Sequence, residues 1–291
     1  MKYRGRFAPS PTGALHVGSA AAAIFSDALA RRSSGGHVLR VEDLDTPRKR
    51  EGAEEAMLED LAWLGIRFTE GPYRQSERFD LYARAIDVLA ATGETFLCDC
   101  SRAEIARVAS APHEGEEGPP YPGTCRAFGM RARPFKRPPA VRLRMEGGDD
   151  FVLRRGDGVY SYQLACTVDD VDMAITEVVR GIDLASSAPR QRRLAELLGD
   201  PRWRTRSFVH VPLVVADDGA RLSKRDGSLT IRSIRDRGIS PRRLVAAIAG
   251  AYGFTVDERD PLDDLARALD ERAPTEESIR VSEVLKRLEG P

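Results

Sequence analysis

The sequence predicts an α/β protein built on a doubly wound parallel sheet. Strand-like and helix-like patterns alternate over the first 64 residues, and this alternation is typical of parallel sheets whose crossover connections are helices. Hydrophobic residues make up 42% of the 291-residue chain, which is enough to bury a sizeable core. We therefore expect one large domain of this class with a smaller appendage.

The first elements can be assigned in order. Residues 3–8 have a strand-like pattern, and a turn rich in proline and glycine leads into an alanine-rich helix at residues 16–32. A second strand is predicted at residues 37–43, and a helix with an apolar face at residues 51–64. This order places His16 and Gly18 at a helix N-terminus soon after the first strand.

The rest of the chain alternates less regularly. A helix is predicted at about residues 76–92, and residues 98–139 are rich in proline and glycine without a long periodic pattern, so that a metal or a partner is needed to order them. The later predicted elements are extended segments from residue 140 to 152, a strand at 178–183, a helix at 189–198, a strand at 208–215 and a final amphipathic helix at 279–288.

These patterns predict four parts of the chain. They are a first half of the α/β domain at 1–96, an insertion at 97–139, the remainder of the α/β domain at 140–239 and a short helical region at 240–291. No apolar run reaches the ~18 residues of a membrane span, and the N-terminus has no basic-then-apolar leader. We therefore expect a cytoplasmic protein. Its formal net charge of +0 requires any nucleic-acid binding to use local basic faces.

Two separated segments carry residues suited to phosphate. His16-Val-Gly-Ser19 falls at the predicted helix start, where free N–H groups and the helix dipole favour anions and glycine permits close approach. Arg221-Leu-Ser-Lys-Arg225 follows a predicted strand, and Lys224 there could stabilise charge on a leaving group. Each motif alone fits a helix-start histidine or a surface lysine. The occurrence of both motifs in this order favours a nucleotide site, and so does the segment before the first motif, Ala8-Pro-Ser-Pro-Thr-Gly13.

This pair of motifs resembles the signature of class I aminoacyl-tRNA synthetases. Arg6-Phe-Ala-Pro-Ser-Pro-Thr-Gly13 and Val41-Glu-Asp-Leu-Asp-Thr46 resemble their glutamyl branch, with mild departures at Val17, Ser19 and Arg221-Leu222. The resemblance covers about residues 4–250. It implies a Rossmann-like catalytic domain that activates L-glutamate with ATP and Mg²⁺. The residues implied are His16 and Lys224 as catalytic groups, and His16, Gly18, Ser223 and Lys224 as the ATP site.

The same resemblance implies a glutamate site. A substrate with two carboxylates and an ammonium group needs cations at both ends and an acid between them, and the planar fork of arginine suits a carboxylate. The implied residues are Arg6 and Arg180 for the carboxylates, Glu42 for the ammonium, Ser10 as a small hydrogen-bonding group, Tyr162 as a wall and donor, and Phe7, Ala8 and Pro9 beside them. The sequence leaves open which arginine takes which carboxylate.

Three of the four cysteines, Cys98, Cys100 and Cys125, cluster in the predicted insertion. In a cytosolic chain such clustering favours a metal over a disulfide, and thiolates prefer zinc in tetrahedral geometry. His113 is the fourth ligand that chemistry alone favours, because imidazole is a commoner zinc ligand than phenol. The spacing of Tyr121 and Cys125, however, resembles the zinc site of shortened glutamyl enzymes, which implies Tyr121 and one Zn²⁺ per chain. Cys166 has the pattern of a core thiol.

Only a short stretch follows residue 254, whereas glutamyl-tRNA synthetases continue into a helical anticodon-binding region. The closest resemblance is therefore to the shortened glutamyl enzymes that attach glutamate to queuosine at the wobble position of tRNA(Asp), and a monomer is expected. Two alternatives stay open. One is a minimal glutamyl-tRNA synthetase that charges the 3′ end of tRNA(Glu), and the other is a non-catalytic paralogue that binds glutamate or RNA.

Overall fold

The structure is a computed structural model that describes residues 2–11, 13–44, 51–108, 121–220, 230–271, 274 and 277–289. In this part of the chain the strands are β1 (Arg4–Phe7), β2 (Gly36–Val41), β3 (Glu70–Arg74), β4 (Thr95–Cys98), β5 (Ala140–Leu143), β6 (Phe151–Arg154), β7 (Glu177–Gly181), β8 (Ser207–Val211), β9 (Val214–Val215) and β10 (Ile279–Arg280). The helices are α1 (Val17–Arg32), α2 (Ala53–Trp63), α3 (Phe79–Ala91), α4 (Arg102–Val108), α5 (Tyr162–Asp172), α6 (Ala188–Leu197), α7 (Ile231–Asp236), α8 (Pro241–Ala251), α9 (Pro261–Glu271) and α10 (Val281–Glu289).

The chain forms two compact units. The first contains Met1–Glu77, Ala174–Ser186 and Thr205–Pro291, and the second contains Arg78–Met173 and Ser187–Arg204. The predicted insertion at residues 97–139 lies within the second unit. The predicted helical region at residues 240–291 lies within the first unit.

A parallel sheet forms the centre of the first unit. Its strand order is β3-β2-β1-β7-β8, and every neighbouring pair is parallel. The order reverses at β1, because β2 and β3 lie on one side of it and β7 and β8 on the other. In sheets of this kind ligands bind outside the carboxyl ends of the strands at such a reversal. The predicted doubly wound parallel sheet is confirmed. A ligand site is expected at the carboxyl ends of β1 and β7.

The two faces of this sheet differ in chemistry. Side chains alternate between faces along a strand, and Phe7 and Val179 point into the hydrophobic core that α1 covers. The register pairs Arg6 with Val178 and Val38, so Arg40 and Arg180, each two residues further along its strand, share the face of Arg6. These three arginines are no more than 4% exposed. One face of the sheet is therefore apolar and the other carries buried positive charge.

The C-terminal helices complete the apolar side of the first unit. Helices α8 and α9 pack on α1, and α10 packs on α8. The ring of Phe25 in α1 meets that of Tyr252 edge-on at 4.9 Å between centroids, and the Tyr252 hydroxyl donates to the Pro212 carbonyl at 2.6 Å. The single strand predicted at residues 208–215 is divided into β8 and β9 around Pro212, which has no N–H to continue a ladder.

The second unit contains a three-stranded antiparallel sheet with the order β4-β5-β6. Helix α3 packs on α5, and α5 packs on α6. The fully buried Asp169 of α5 accepts hydrogen bonds from the Tyr82 hydroxyl and from Nε of Arg78 at 2.8 Å. Such partners are what a buried carboxylate requires. Among the helices of the described residues, none has the length and apolar character needed to cross a membrane.

Candidate active site and metal cluster

His16 caps the N-terminus of α1. Its backbone is extended, with φ −105° and ψ 165°, and its Nδ1 accepts a hydrogen bond from the Ser19 backbone N–H at 3.2 Å. A neutral imidazole that accepts at Nδ1 carries its proton on Nε2, which lies 3.1 Å from the Ser19 hydroxyl. The cap satisfies one free N–H of the first turn and leaves the helix dipole directed at this point. The helix start is therefore suited to an anion.

Gly18 gives the His16 ring its space. A Cβ added at Gly18 would lie 3.3 Å from both Nδ1 and Cε1 of the imidazole, which is closer than van der Waals contact between such atoms normally allows. A side chain here would require the imidazole to shift by a few tenths of an ångström. The glycine thus serves the placement of His16 as well as the approach of a ligand.

Residues that follow the second predicted phosphate-handling segment contact the start of α1. Thr230 pairs with His16 through an antiparallel bridge, and the Ile231 N–H donates to the Leu15 carbonyl at 2.8 Å. The Thr230 hydroxyl also caps α7 by accepting from the Ser233 N–H at 3.1 Å. Ser223 and Lys224 themselves lie outside the described residues. The described part of the chain resumes at Thr230, which lies beside His16.

Arg6 and Arg180 lie on adjacent strands at the reversal of the sheet. Arg6 is 2% exposed and donates from Nη1 to the Val179 carbonyl at 2.9 Å. Arg180 is 4% exposed, its Nε donates to Nε2 of His210 at 3.4 Å, and its guanidinium lies 5.0 Å from the ring centroid of Phe208. Burial, together with the charge of Arg180, lowers the pKa of His210. A neutral His210 can therefore accept from Arg180 and hold the guanidinium in place.

Glu42 follows the end of β2 and is held by an arginine that the sequence reasoning missed. Arg40 is completely buried, and its Nη2 donates to Oε1 of Glu42 at 3.0 Å. The Glu42 backbone N–H donates to the Pro9 carbonyl at 2.9 Å, which ties the segment after β2 to the segment after β1. The signal for Arg40 was its place in the otherwise apolar run Val38-Leu-Arg-Val41. A charge inside a buried strand requires a partner.

The other predicted glutamate-site residues are distributed over both units. The Phe7 side chain packs in the core of the first unit, so only its backbone is available to a ligand. Ala8 is half-buried and Ser10 is exposed just after β1. Tyr162 is the first residue of α5 in the second unit, after its N-cap Ser161. The roles of these residues toward glutamate stay predictions.

We expect Arg40→Met to raise the KM for glutamate about tenfold, because a hydrogen bond to a charged group contributes about 1.5–3 kcal/mol and its loss frees the Glu42 carboxylate. The KM for ATP should change little. Glutamate-dependent pyrophosphate exchange, measured over a range of both substrates, gives the two constants. Arg40→Lys keeps the charge and should have a smaller effect. An unchanged glutamate KM in folded Arg40→Met would show that Arg40 has no part in placing Glu42.

Three cysteines of the second unit form a cluster beyond the end of β4. The sulfur atoms of Cys98, Cys100 and Cys125 all lie within 4.8 Å of one another, and Cys100 and Cys125 are 3.7 Å apart. The Tyr121 hydroxyl is 3.4 Å from the Cys98 sulfur and accepts the Cys125 backbone N–H at 2.8 Å. The structure thus brings together the four residues predicted from the sequence. His113 lies outside the described residues.

The electrostatics of the cluster favour a cation. Burial raises the pKa of Cys98, but hydrogen bonds from Tyr121 and Cys100 and the charge of Arg142 outweigh burial and lower it. Burial and the neighbouring Cys98 raise the pKa of Cys100 to about 12. Burial, followed by the contact with Cys98, also raises the pKa of Tyr121. A lowered pKa at Cys98 beside raised pKa values at Cys100 and Tyr121 is expected of a cluster in which several negative charges would need a bound cation.

The spacing also suits a tetrahedral metal. With zinc–sulfur bonds of about 2.3 Å, tetrahedral angles place two thiolate sulfurs about 3.8 Å apart. The Cys100–Cys125 separation of 3.7 Å agrees with this value. Soft thiolate donors in such an arrangement select zinc among the common divalent ions. The residues present therefore fit a zinc ion, which they would hold at the junction of β4 and the loop that carries Cys125.

The chain matches the family model described as tRNA synthetases class I (E and Q), catalytic domain, over residues 2–147 and 139–265. The chain belongs to this family. The protein named glutamyl-Q tRNA(Asp) synthetase from Nitratidesulfovibrio vulgaris is 40% identical, over 98% of each chain. The protein of that name from Geobacter sulfurreducens is 45% identical, over 80% of this chain and 78% of its own.

A solved class I synthetase has the same architecture. It is a glutamate tRNA ligase from Elizabethkingia meningosepticum in complex with its amino acid, with a TM-score of 0.77 and 26% identity over 98% of this chain and 68% of that one. The predictions of family and fold class are therefore confirmed. Both His16 and Thr230, which pair with each other, lie within the residues that match the family model.

Proposed function

We propose that this protein activates L-glutamate with ATP and magnesium to glutamyl-adenylate, and then transfers the glutamyl group to queuosine at the wobble position of tRNA(Asp). The observation that carries the proposal is the match with a protein named glutamyl-Q tRNA(Asp) synthetase over 98% of each chain. The buried arginines and the capped start of α1 at the reversal of the sheet supply the chemistry that the first step requires.

In the activation step a carboxylate oxygen of glutamate attacks the α-phosphate of ATP, and pyrophosphate leaves with the electrons of the broken P–O bond. Both reactants are anions, so positive charge must face them. The start of α1 offers backbone N–H groups, and His16 Nε2 offers a proton donor. Lys224 would balance the charge that develops on pyrophosphate. Six residues further along the chain, Thr230 pairs with His16.

Recognition of glutamate uses the polar face of the sheet. Arg6 and Arg180 lie on the adjacent strands β1 and β7 and pair with the two carboxylates of glutamate, whereas Glu42 pairs with its ammonium group. Tyr162 adds a wall and a donor. Because Arg180 is held by His210 and Glu42 by Arg40, these groups are oriented before the substrate arrives, which reduces the cost of binding.

In the transfer step a hydroxyl of the queuosine cyclopentenediol attacks the carbonyl carbon of the adenylate. The ester bond forms, the bond to phosphate breaks, and AMP leaves while the hydroxyl proton passes to solvent or to the AMP phosphate.

The protein acts in the cytoplasm as a monomer. Cys98, Cys100, Cys125 and Tyr121 would hold one zinc ion, which would tie the end of β4 to the loop that carries Cys125, and His113 is the alternative fourth ligand.

The test is transfer of labelled glutamate to purified RNAs. We expect ATP-dependent labelling of tRNA(Asp) that carries queuosine, and none of the same tRNA with guanosine at that position. Blocking the 3′ terminal ribose of the queuosine-bearing tRNA should leave the labelling intact. Labelling that requires a free 3′ ribose would overturn the proposal.

The second candidate is a glutamyl-tRNA synthetase that charges tRNA(Glu), and the likeness to the Elizabethkingia glutamate tRNA ligase favours it. Labelling of tRNA(Glu) at its 3′ end, with none of queuosine-bearing tRNA(Asp), would establish this activity instead. A protein without glutamate-dependent pyrophosphate exchange would be the non-catalytic paralogue.

A further inference from the structure

Two arginines approach the cysteine cluster from outside its four predicted ligands. Nη2 of Arg133 lies 3.4 Å from the Cys125 sulfur, in hydrogen-bond contact. The guanidinium of Arg142 lies 4.2 Å from the ring centroid of Tyr121. The sequence reasoning assigned neither residue a role.

The cluster has a charge that these arginines can balance. Three thiolates and a neutral tyrosine around Zn²⁺ leave one net negative charge, and an ionised tyrosine leaves two. Cys98 and Cys125 are 2% and 3% exposed, and Tyr121 is 6% exposed. A net charge at such depth is costly unless an opposite charge lies close to it.

Arg133 is fixed firmly in this position. Its Nη2 donates to Asp99 at 2.7 Å, and Asp99 also accepts the Lys136 backbone N–H at 3.0 Å. The guanidinium lies between two aromatic rings, 4.8 Å from the centroid of Phe128 and 4.7 Å from that of Phe135. Asp99 lies between two of the predicted ligands in sequence, so Nη2 of Arg133, which donates to both Asp99 and Cys125, joins the Cys98–Cys100 segment to the Cys125 sulfur.

We propose that Arg133 is a positioning residue of the metal cluster, whose guanidinium is held by Asp99 and donates a charge-assisted hydrogen bond to the Cys125 sulfur. The inference rests on the metal site proposed above. Outer residues that contact metal ligands are commonly needed for full affinity, and their loss lowers metal affinity about 10–100-fold. Arg133 therefore belongs functionally to the site, although it binds no metal itself.

The test compares the zinc affinity of four full-length proteins by competition with a chromophoric chelator at fixed pH. They are the wild type, Arg133→Met, Asp99→Asn and Arg131→Met. Asp99→Asn breaks the same ion pair and weakens the same loop anchor, but it leaves the guanidinium charge beside Cys125. Arg131→Met removes an exposed arginine from the same segment and serves as the matched control. Circular dichroism of each zinc-loaded protein checks folding.

We expect Arg133→Met to lower zinc affinity about 10–100-fold, with Asp99→Asn and Arg131→Met close to the wild type. Equal affinity of Arg133→Met and the wild type would overturn the inference. So would an equal loss in Arg133→Met and Asp99→Asn, because loop anchoring would then explain the effect. Absence of zinc binding by the wild type would instead refute the proposed metal site, and the inference with it.

Discussion

Replacing His16 with asparagine is expected to lower the rate of glutamate-dependent pyrophosphate exchange by about 10²–10³-fold, the usual cost of removing one donor that faces developing negative charge. The imidazole lies at the start of α1, and its Nε2 is the donor. Asparagine is among the best N-cap residues, so the cap on the Ser19 N–H is kept while the imidazole is lost. The measurement is exchange at saturating ATP and glutamate.

A companion variant separates catalysis from stability. His16→Ala removes both the imidazole and the cap, and loss of a cap costs about 1 kcal/mol of stability. Both variants should lose exchange to a similar degree, but only the alanine variant should unfold at lower denaturant concentration. Near-normal exchange in the asparagine variant would remove His16 from the activation step and leave it a structural cap.

Replacing Arg180 with methionine is expected to lower kcat/KM for glutamate about 100-fold, because one charge-assisted hydrogen bond contributes about 1.5–3 kcal/mol. Arg180 is buried at the carboxyl end of β7, with His210 and Phe208 holding its guanidinium. The effect should be confined to glutamate, with the KM for ATP nearly unchanged. Exchange assays with each substrate varied in turn measure both constants. Denaturant unfolding of the variant checks that the fold is kept, because removal of one partner from a buried polar contact can destabilise a protein.

Arg206 offers a matched control for Arg180. It is also 4% exposed, but it precedes β8 at the amino ends of the parallel strands, whereas Arg180 is near the carboxyl end of β7, and its Nε donates to the Ile175 carbonyl at 2.9 Å. Arg206→Met should leave the glutamate KM unchanged. A loss of glutamate affinity in both variants would point to a general effect on the sheet, and the assignment of Arg180 to the substrate would fail.

Much of the first unit could be predicted because its local patterns agree with its final packing. The helix predicted at residues 16–32 is α1 (Val17–Arg32), so the predicted and observed bounds differ by one residue. Its small alanine side chains let it lie close against the sheet. The alternation of strands and helices also predicted the parallel sheet. The strand β3 was missed, because its Glu70–Arg74 sequence lies at the sheet edge and contains Gly71 and Pro72, which usually interrupt strands.

The second unit was harder to predict because its buried groups are polar. Helix α5 was missed, since Gln163, Asp169 and Asp170 are buried in it and remove the apolar period on which helix prediction depends. The three cysteines could be found from their clustering alone. Tyr121 came from the resemblance to a family, and Arg133 could not be found at all, because only the fold brings it to Cys125.

The pairing of Thr230 with His16 has a consequence for how the two halves of the phosphate site cooperate. Lys224 is distant from His16 along the chain, yet only a few residues separate it from Thr230, and each residue can extend the chain by at most about 3.6 Å. The fold therefore holds Thr230, where the described part of the chain resumes after this segment, beside the start of α1. Folding thus meets part of the entropic cost of closing the loop between the two motifs before ATP binds.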